Sequence, residues 1–165
     1  MKNQGSVTAW CAWPGESVGA APTLLIVGPV EDNCGRDPIF DQFPWQAHRV
    51  RNCLDVALHL LDNHPCIVVC ERDLADCDWK DVLEIAVSLP NPPPVIVTSR
   101  LADDNLWAEV LNLGGYDVLA KPLNKQEVSR VLNLAWGHWA NQAYPAEHPK
   151  SAPLRRGDLA KCSVA

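Results

Sequence analysis

The segment Val95-Ile96-Val97-Thr98-Ser99 is an apolar strand that ends in two hydroxyls, and 22 residues after Ser99 comes Lys121-Pro122. A second short strand, Asp117-Val118-Leu119-Ala120, runs directly into that Lys-Pro. Parallel strands need a crossover of about a dozen residues or more, usually a helix. The helical stretch from about Asp103 to Leu113, stopped by Gly114-Gly115, supplies one. One helical crossover thus separates a strand that ends in hydroxyls from a strand that ends in an ammonium.

The same alternation extends upstream. Leu24-Leu25-Ile26-Val27 reads as a first strand and Trp45 to Val50 as a second. Between them Cys34-Gly35-Arg36-Asp37-Pro38 breaks the opening of a helix. Asp37 is left as a cap and Pro38 as the first helical residue, followed by a short Ile39 to Phe43 turn. Leu54, Ala57, Leu58 and Leu61 recur at helical spacing, so this stripe is expected to pack on a sheet. Cys66-Ile67-Val68-Val69-Cys70 is continuously apolar, as a central parallel strand covered on both faces must be. A helix from Trp79 to Ser88 is ended by Pro90-Asn91-Pro92-Pro93-Pro94, since proline removes a donor and disfavours helix before it. The final helix carries Val128, Val131, Leu132 and Ala135 on one face. Strands alternating with helices imply a parallel sheet with right-handed crossovers.

From roughly Thr23 to Ala140 the chain resembles the receiver domains of bacterial response regulators. The resemblance rests on the Thr98-Ser99 strand end, on Lys121-Pro122, and on the loop Glu71-Arg72-Asp73-Leu74-Ala75-Asp76-Cys77-Asp78-Trp79. That loop has the family's length, with Leu74 at its usual apolar position and Asp78 opening the next helix. The resemblance implies a flavodoxin-like, CheY-like doubly wound sheet of five parallel strands in the order 2-1-3-4-5, with helices on both faces. Its functional crevice lies at the carboxyl ends of strands one and three. It also implies a cis peptide bond before Pro122, and a crevice where Thr98 and Lys121 contact a phosphoryl group on an aspartate between them.

The chain departs from the family at that aspartate. Glu71 stands at the phosphoacceptor position, and Gly28-Pro29 replaces the acidic pair that closes the first strand. Two of the three carboxylates that hold magnesium are thus missing, and neither Gly28 nor Pro29 has a side-chain oxygen for a hard cation. Phosphoryl transfer needs a carboxylate in line and a cation to neutralise charge, so phosphorylation at Glu71 is expected to fail. Glu71 then either mimics a modified aspartate as a fixed negative charge near Lys121, or simply pairs with Lys121. Val118 occupies the position of the family's aromatic switch. Tyr116, two residues earlier, is expected on the same strand face as Val118.

Composition narrows the setting. The 165 residues suit one domain, with residues 1–22 a disordered leader onto which Trp10 and Trp13 could fold back, and residues 141–165 a flexible tail. No apolar run approaches the ~20 residues of a membrane span, and no secretory signal opens the chain, so a cytoplasmic protein is expected. The net charge is −6, concentrated in the domain, which argues against a nucleic-acid partner. Among seven cysteines there is no Cys-x-x-Cys. Cys66 and Cys70 are expected on one strand face about 13 Å apart, too far to share zinc. Reduced, buried thiols are expected throughout, with no metal and no other cofactor.

These features converge on a stand-alone, degenerate receiver (a pseudo-receiver) in two-component or phosphorelay signalling. It is expected to be no enzyme and to bind a protein partner, or itself, without phosphorylation. The surface is the family's fourth helix, fifth strand and fifth helix, where Trp107, Trp136 and Trp139 favour an interface. The alternative is a working phosphoacceptor with displaced carboxylates, in which Asp73 receives the phosphoryl group and Glu31 or Asp32 supplies magnesium ligands. A small-molecule-binding flavodoxin-like domain has little to support it, since no Gly-x-Gly-x-x-Gly follows the first strand.

Overall fold

A computed structural model describes residues 22–29 and 39–143. Five strands form one all-parallel sheet in the order β2-β1-β3-β4-β5. They are β1 (Thr23–Val27), β2 (Gln46–Val50), β3 (Ile67–Glu71), β4 (Val95–Ser99) and β5 (Asp117–Ala120). The described helices are α1 (Cys53–Asn63), α2 (Trp79–Val87), α3 (Asp104–Asn112) and α4 (Lys125–Ala143). The parallel sheet is the one expected from the strand-helix alternation, and its order 2-1-3-4-5 is the flavodoxin-like order that the resemblance implied.

Period-two alternation divides the sheet between two cores. On one face Leu25, Val27, Val68, Cys70, Val95, Val97 and Val118 pack with Val56 and Leu60 of α1, Trp79, Val82, Leu83 and Ala86 of α2, and Leu106 and Val110 of α3. On the other face Leu24, Ile26, Ile67, Val69, Ile96 and Leu119 pack with Phe40 and with Val128, Val131, Leu132 and Ala135 of α4. The central strands β3 and β4 are buried at every residue, which is why their sequences are almost continuously apolar.

Local signals set the helix ends. Asn52, Asp78 and Asp103 cap α1, α2 and α3, and Asp78 with Asp81 completes a capping box. After α3 the chain turns through Gly114, whose φ of +95° suits glycine. At Gly115 a Cβ would meet Val110 Cγ1 at 2.5 Å, so the chain approaches the helix more closely than any side chain allows. Ile39 to Phe43 holds only a single 3₁₀ turn, Phe40–Gln42. The cap assigned to Asp37, residues 1–21 with Trp10 and Trp13, and residues 144–165 lie outside the described residues. Helix α4 reaches Ala143, three residues into the segment expected as tail.

Four expectations fail. The stripe on α1 does not face the sheet: Leu54, Leu58 and Leu61 are 70%, 50% and 61% exposed, whereas Val56 and Leu60 are buried. Both sets have helical spacing, and α1 seats Val56 and Leu60 against β1 and α2. The cysteines are not all reduced, because Cys53 and Cys77 form a disulfide between the start of α1 and the loop before α2. Cys66 and Cys70 are buried as expected, but they lie in different cores. Cys66 precedes β3, so strand alternation does not govern it. Tyr116 likewise precedes β5 and packs on the face opposite Val118.

Candidate functional site

The parallel register aligns the carboxyl ends of β1, β3, β4 and β5. Val27 pairs with Cys70, Glu71 with Thr98, and Ser99 with Ala120. Gly28 therefore follows β1 beside Glu71, and Lys121 follows β5 beside Ser99. Backbone bonds from Arg72 N to Thr98 O (2.9 Å) and from Lys121 N to Ser99 O (2.9 Å) carry the sheet pairing one residue past each strand end. The Lys121-Pro122 peptide bond is cis, as the resemblance implied.

Three of the predicted side chains meet at one atom. Oε2 of Glu71 accepts a hydrogen bond from Thr98 Oγ1 at 3.0 Å and is in direct contact with the Lys121 ammonium. Thr98 is fully buried, and the side chains of Glu71 and Lys121 are 8% and 11% exposed. A carboxylate this dry requires a countercharge and a donor, and the crevice provides one of each. Ser99 turns its hydroxyl to its own loop, accepting from Leu101 N at 3.1 Å.

The described residues do not fit the magnesium of the family. Gly28 and Pro29 contribute no side-chain oxygen, and Glu71 Oε2 is taken by an ammonium and a hydroxyl. Glu31 and Asp32 lie outside the described residues. Asp73 does not join the crevice contacts: its side chain is 88% exposed and lies 3.9 Å from Arg72 Nε, and its backbone bridges to Asp78.

Of the three tryptophans expected on the partner face, Trp107 is half exposed, its ring N–H bonded to Asp117 Oδ1 at 3.2 Å. Trp136 and Trp139 turn inward, stacked with ring centroids 5.5 Å apart, and Trp136 meets Trp45 edge-on at 5.8 Å.

Sequence reasoning missed the Cys53–Cys77 disulfide. A signal was present: Cys53 directly follows the cap Asn52 and Cys77 directly precedes the cap Asp78. Helices α1 and α2 share one sheet face, so their amino-terminal ends are neighbours.

No family model matches the chain, and no curated protein matches it in sequence. Solved structures do match in fold. A signal receiver domain from Vibrio parahaemolyticus superposes with a TM-score of 0.69 at 19% identity, over 78% of this chain and 99% of that one. The signal receiver domain of an HD domain-containing protein from Pseudomonas fluorescens Pf-5 gives 0.63 at 24% identity, over 72% and 97%. The receiver domain of a sensor histidine kinase from Pseudomonas aeruginosa PAO1, solved with a magnesium ion coordinated in its active-site cleft, gives 0.62 at 16% identity, over 72% and 99%. With its sheet order and its Glu71, Thr98 and Lys121 cluster at the carboxyl edge, the chain has the CheY-like fold of response-regulator receiver domains.

Proposed function

We propose that this protein is a pseudo-receiver, a signalling domain that works through protein contacts without aspartyl phosphorylation. One observation carries the reading. The position that accepts phosphate in receivers holds a glutamate whose carboxylate is already bound to the lysine and the threonine that receive the phosphoryl group there. The single charge of Glu71 stands where an aspartyl phosphate would place about −1.5 to −2. The ammonium of Lys121 is neutralised without a metal, and the domain rests in one state of its crevice.

In this reading the domain has no catalytic step. Its partner is another signalling protein or a second copy, meeting the face made of α3, β5 and α4, with Trp107 as the exposed aromatic anchor. No described helix is long and apolar enough to cross a membrane, and the reading places the domain in the cytoplasm, where the Cys53–Cys77 bond depends on the local redox poise. The phosphoacceptor reading with Asp73 needs an exposed carboxylate to receive a phosphoryl group outside the Thr98 and Lys121 contacts, and no described contact favours it.

The experiment is incubation with acetyl phosphate and magnesium, read by intact mass, with amide chemical shifts followed during magnesium and beryllofluoride titration. The expected result is no hydroxylamine-labile mass gain and no saturable shift at Glu71, Thr98 or Lys121. A phosphoryl group on Asp73 overturns the proposal in favour of the displaced-carboxylate receiver.

A further inference from the structure

Away from the crevice, two helix starts converge. Cys53 is the first residue of α1, directly after its cap Asn52. Cys77 directly precedes Asp78, the cap of α2. Their sulfurs are bonded to one another, and Cys53 N donates to Asp76 Oδ2 at 3.1 Å, tying the backbone of α1 to the same loop. Asp81, in the first turn of α2, is oriented by the capping bond from Asp78 N to its Oδ2 at 2.9 Å. The two Sγ atoms and a carboxylate oxygen of Asp81 lie within 4.8 Å of one another. With Asp76, Glu84 and Ile85 they line an open depression of about 400 Å³.

We propose that Cys53, Cys77 and Asp81 form a redox-gated site for a soft divalent cation of the zinc class, closed as the disulfide and opened by a dithiol. The donor set selects the metal, since two thiolates favour zinc over magnesium or calcium. Zinc holds sulfur at about 2.3 Å and carboxylate oxygen at about 2.0–2.2 Å, so its tetrahedral donors stand roughly 3.4–3.8 Å apart. Separating the sulfurs from bonding distance and drawing Asp81 inward are movements on the order of 1–2 Å. The Asp76 carboxylate or a water completes four-coordination.

The gating step balances. A dithiol reductant attacks one sulfur and breaks the S–S bond. It leaves as a cyclic disulfide, having given up two electrons, and its two protons pass to Cys53 and Cys77. Metal binding then releases those protons to solvent. Both cysteines are partly buried and line the open depression, which gives a reductant its approach to the bond. Asp81 closes the capping box of α2 through Oδ2 and at the same time brings a carboxylate beside the two sulfurs.

The test uses the full chain, reduced with a phosphine so that no competing thiolate is added, and titrated with cobalt and then zinc. The expected result is a thiolate-to-cobalt charge-transfer band that saturates at one equivalent, is displaced by zinc, and is absent from the oxidised protein. The C53S/C77S double variant, which retains all the other cysteines, should lose the band. D81N keeps both thiols and should bind cobalt at least tenfold more weakly, whereas E84Q on the same wall should bind normally. If the double variant does not fold, D81N decides. The proposal is overturned by the absence of a band in the reduced protein, by an equal band in C53S/C77S, or by unchanged affinity in D81N.

Discussion

Replacing Glu71 by Gln or Lys121 by Met separates a real crevice from two charges that happen to lie near each other. An exposed ion pair contributes roughly 0–1 kcal/mol. With side chains 8% and 11% exposed, this pair belongs to the buried class, in which removing one partner costs about 3–5 kcal/mol because the other charge is stranded. Glu71→Gln leaves an amide oxygen for the Thr98 hydroxyl, so its cost belongs near the lower end, at about 3 kcal/mol. Lys121→Met leaves the carboxylate with Thr98 alone among the described residues, and about 4 kcal/mol is expected. The double variant strands no charge and should lose only about 4 kcal/mol, giving a coupling of about 3 kcal/mol where independent sites couple by less than about 0.5. Domains of this size are stable by about 5–15 kcal/mol, so the singles remain measurable by urea unfolding, with midpoint shifts of roughly 1–3 M. The coupling should persist at about 1 M salt, where the Debye length falls to about 3 Å and exposed pairs are screened. Additive losses, or a coupling that vanishes in salt, would refute the buried contact between Glu71, Lys121 and Thr98.

The orientation of α1 is tested by a pair of alanine variants: Leu60→Ala should cost about 2–5 kcal/mol and Leu58→Ala less than about 0.5, measured by thermal or urea unfolding, with the reverse ranking expected if the exposed stripe faced the sheet. Gly115→Ala drives a methyl group against Val110 Cγ1 and should lower stability by about 1–3 kcal/mol, while Val110→Ala should relieve part of that loss. Burial pushes the Cys66 thiol above its ordinary pKa of 9.0, against a smaller opposing effect of a hydrogen bond with the Thr23 backbone. The unfolded chain therefore loses that proton at lower pH than the native one, so the stability it contributes is full below about pH 9 and declines as pH rises further. Cys66→Ala should flatten that alkaline decline in a series of urea midpoints. Glu71→Asp should draw the carboxylate back by roughly one methylene length, about 1.5 Å, weakening its contact with Lys121, and intact mass after acetyl phosphate treatment should remain unchanged because Gly28 and Pro29 still supply no metal ligand.

The sheet was legible because burial on both faces leaves a mark no other environment leaves. The apolar runs of β1, β3 and β4 lie within a residue of the observed strands, Asp78 was read as opening α2, and the start of α3 was placed at about Asp103, which the structure shows as its cap. The crevice followed instead from the resemblance to receivers, which put Glu71, Thr98 and Lys121 at neighbouring strand ends, and the structure brings these three side chains into contact. What failed were readings that depend on a rotation or a turn rather than a period. On α1, Leu54, Leu58 and Leu61 and the pair Val56 and Leu60 have equally good helical spacing, and only the docking of the helix decides between them. Cys66 and Tyr116 stand immediately before their strands, where alternation has not yet begun. The Cys53–Cys77 bond joins residues 24 apart, which no short motif reveals.

Charge accounting explains why the substitutions at three positions belong together. In the receivers that this fold resembles, three carboxylates face one divalent cation and one ammonium, a balanced set. Removing the two carboxylates at the end of β1 and leaving the rest would give a surplus positive charge in a crevice buried on nearly all sides. Removing the cation as well leaves one carboxylate and Lys121, which balance again. An aspartate at that position is set back to leave room for metal and phosphoryl oxygens, whereas Glu71, longer by one methylene, reaches Lys121 and Thr98 directly. In the proposed reading, Gly28-Pro29 and Glu71 therefore form one electrostatic arrangement, whose charge is set by the sequence and suits a domain read by its partners in one state.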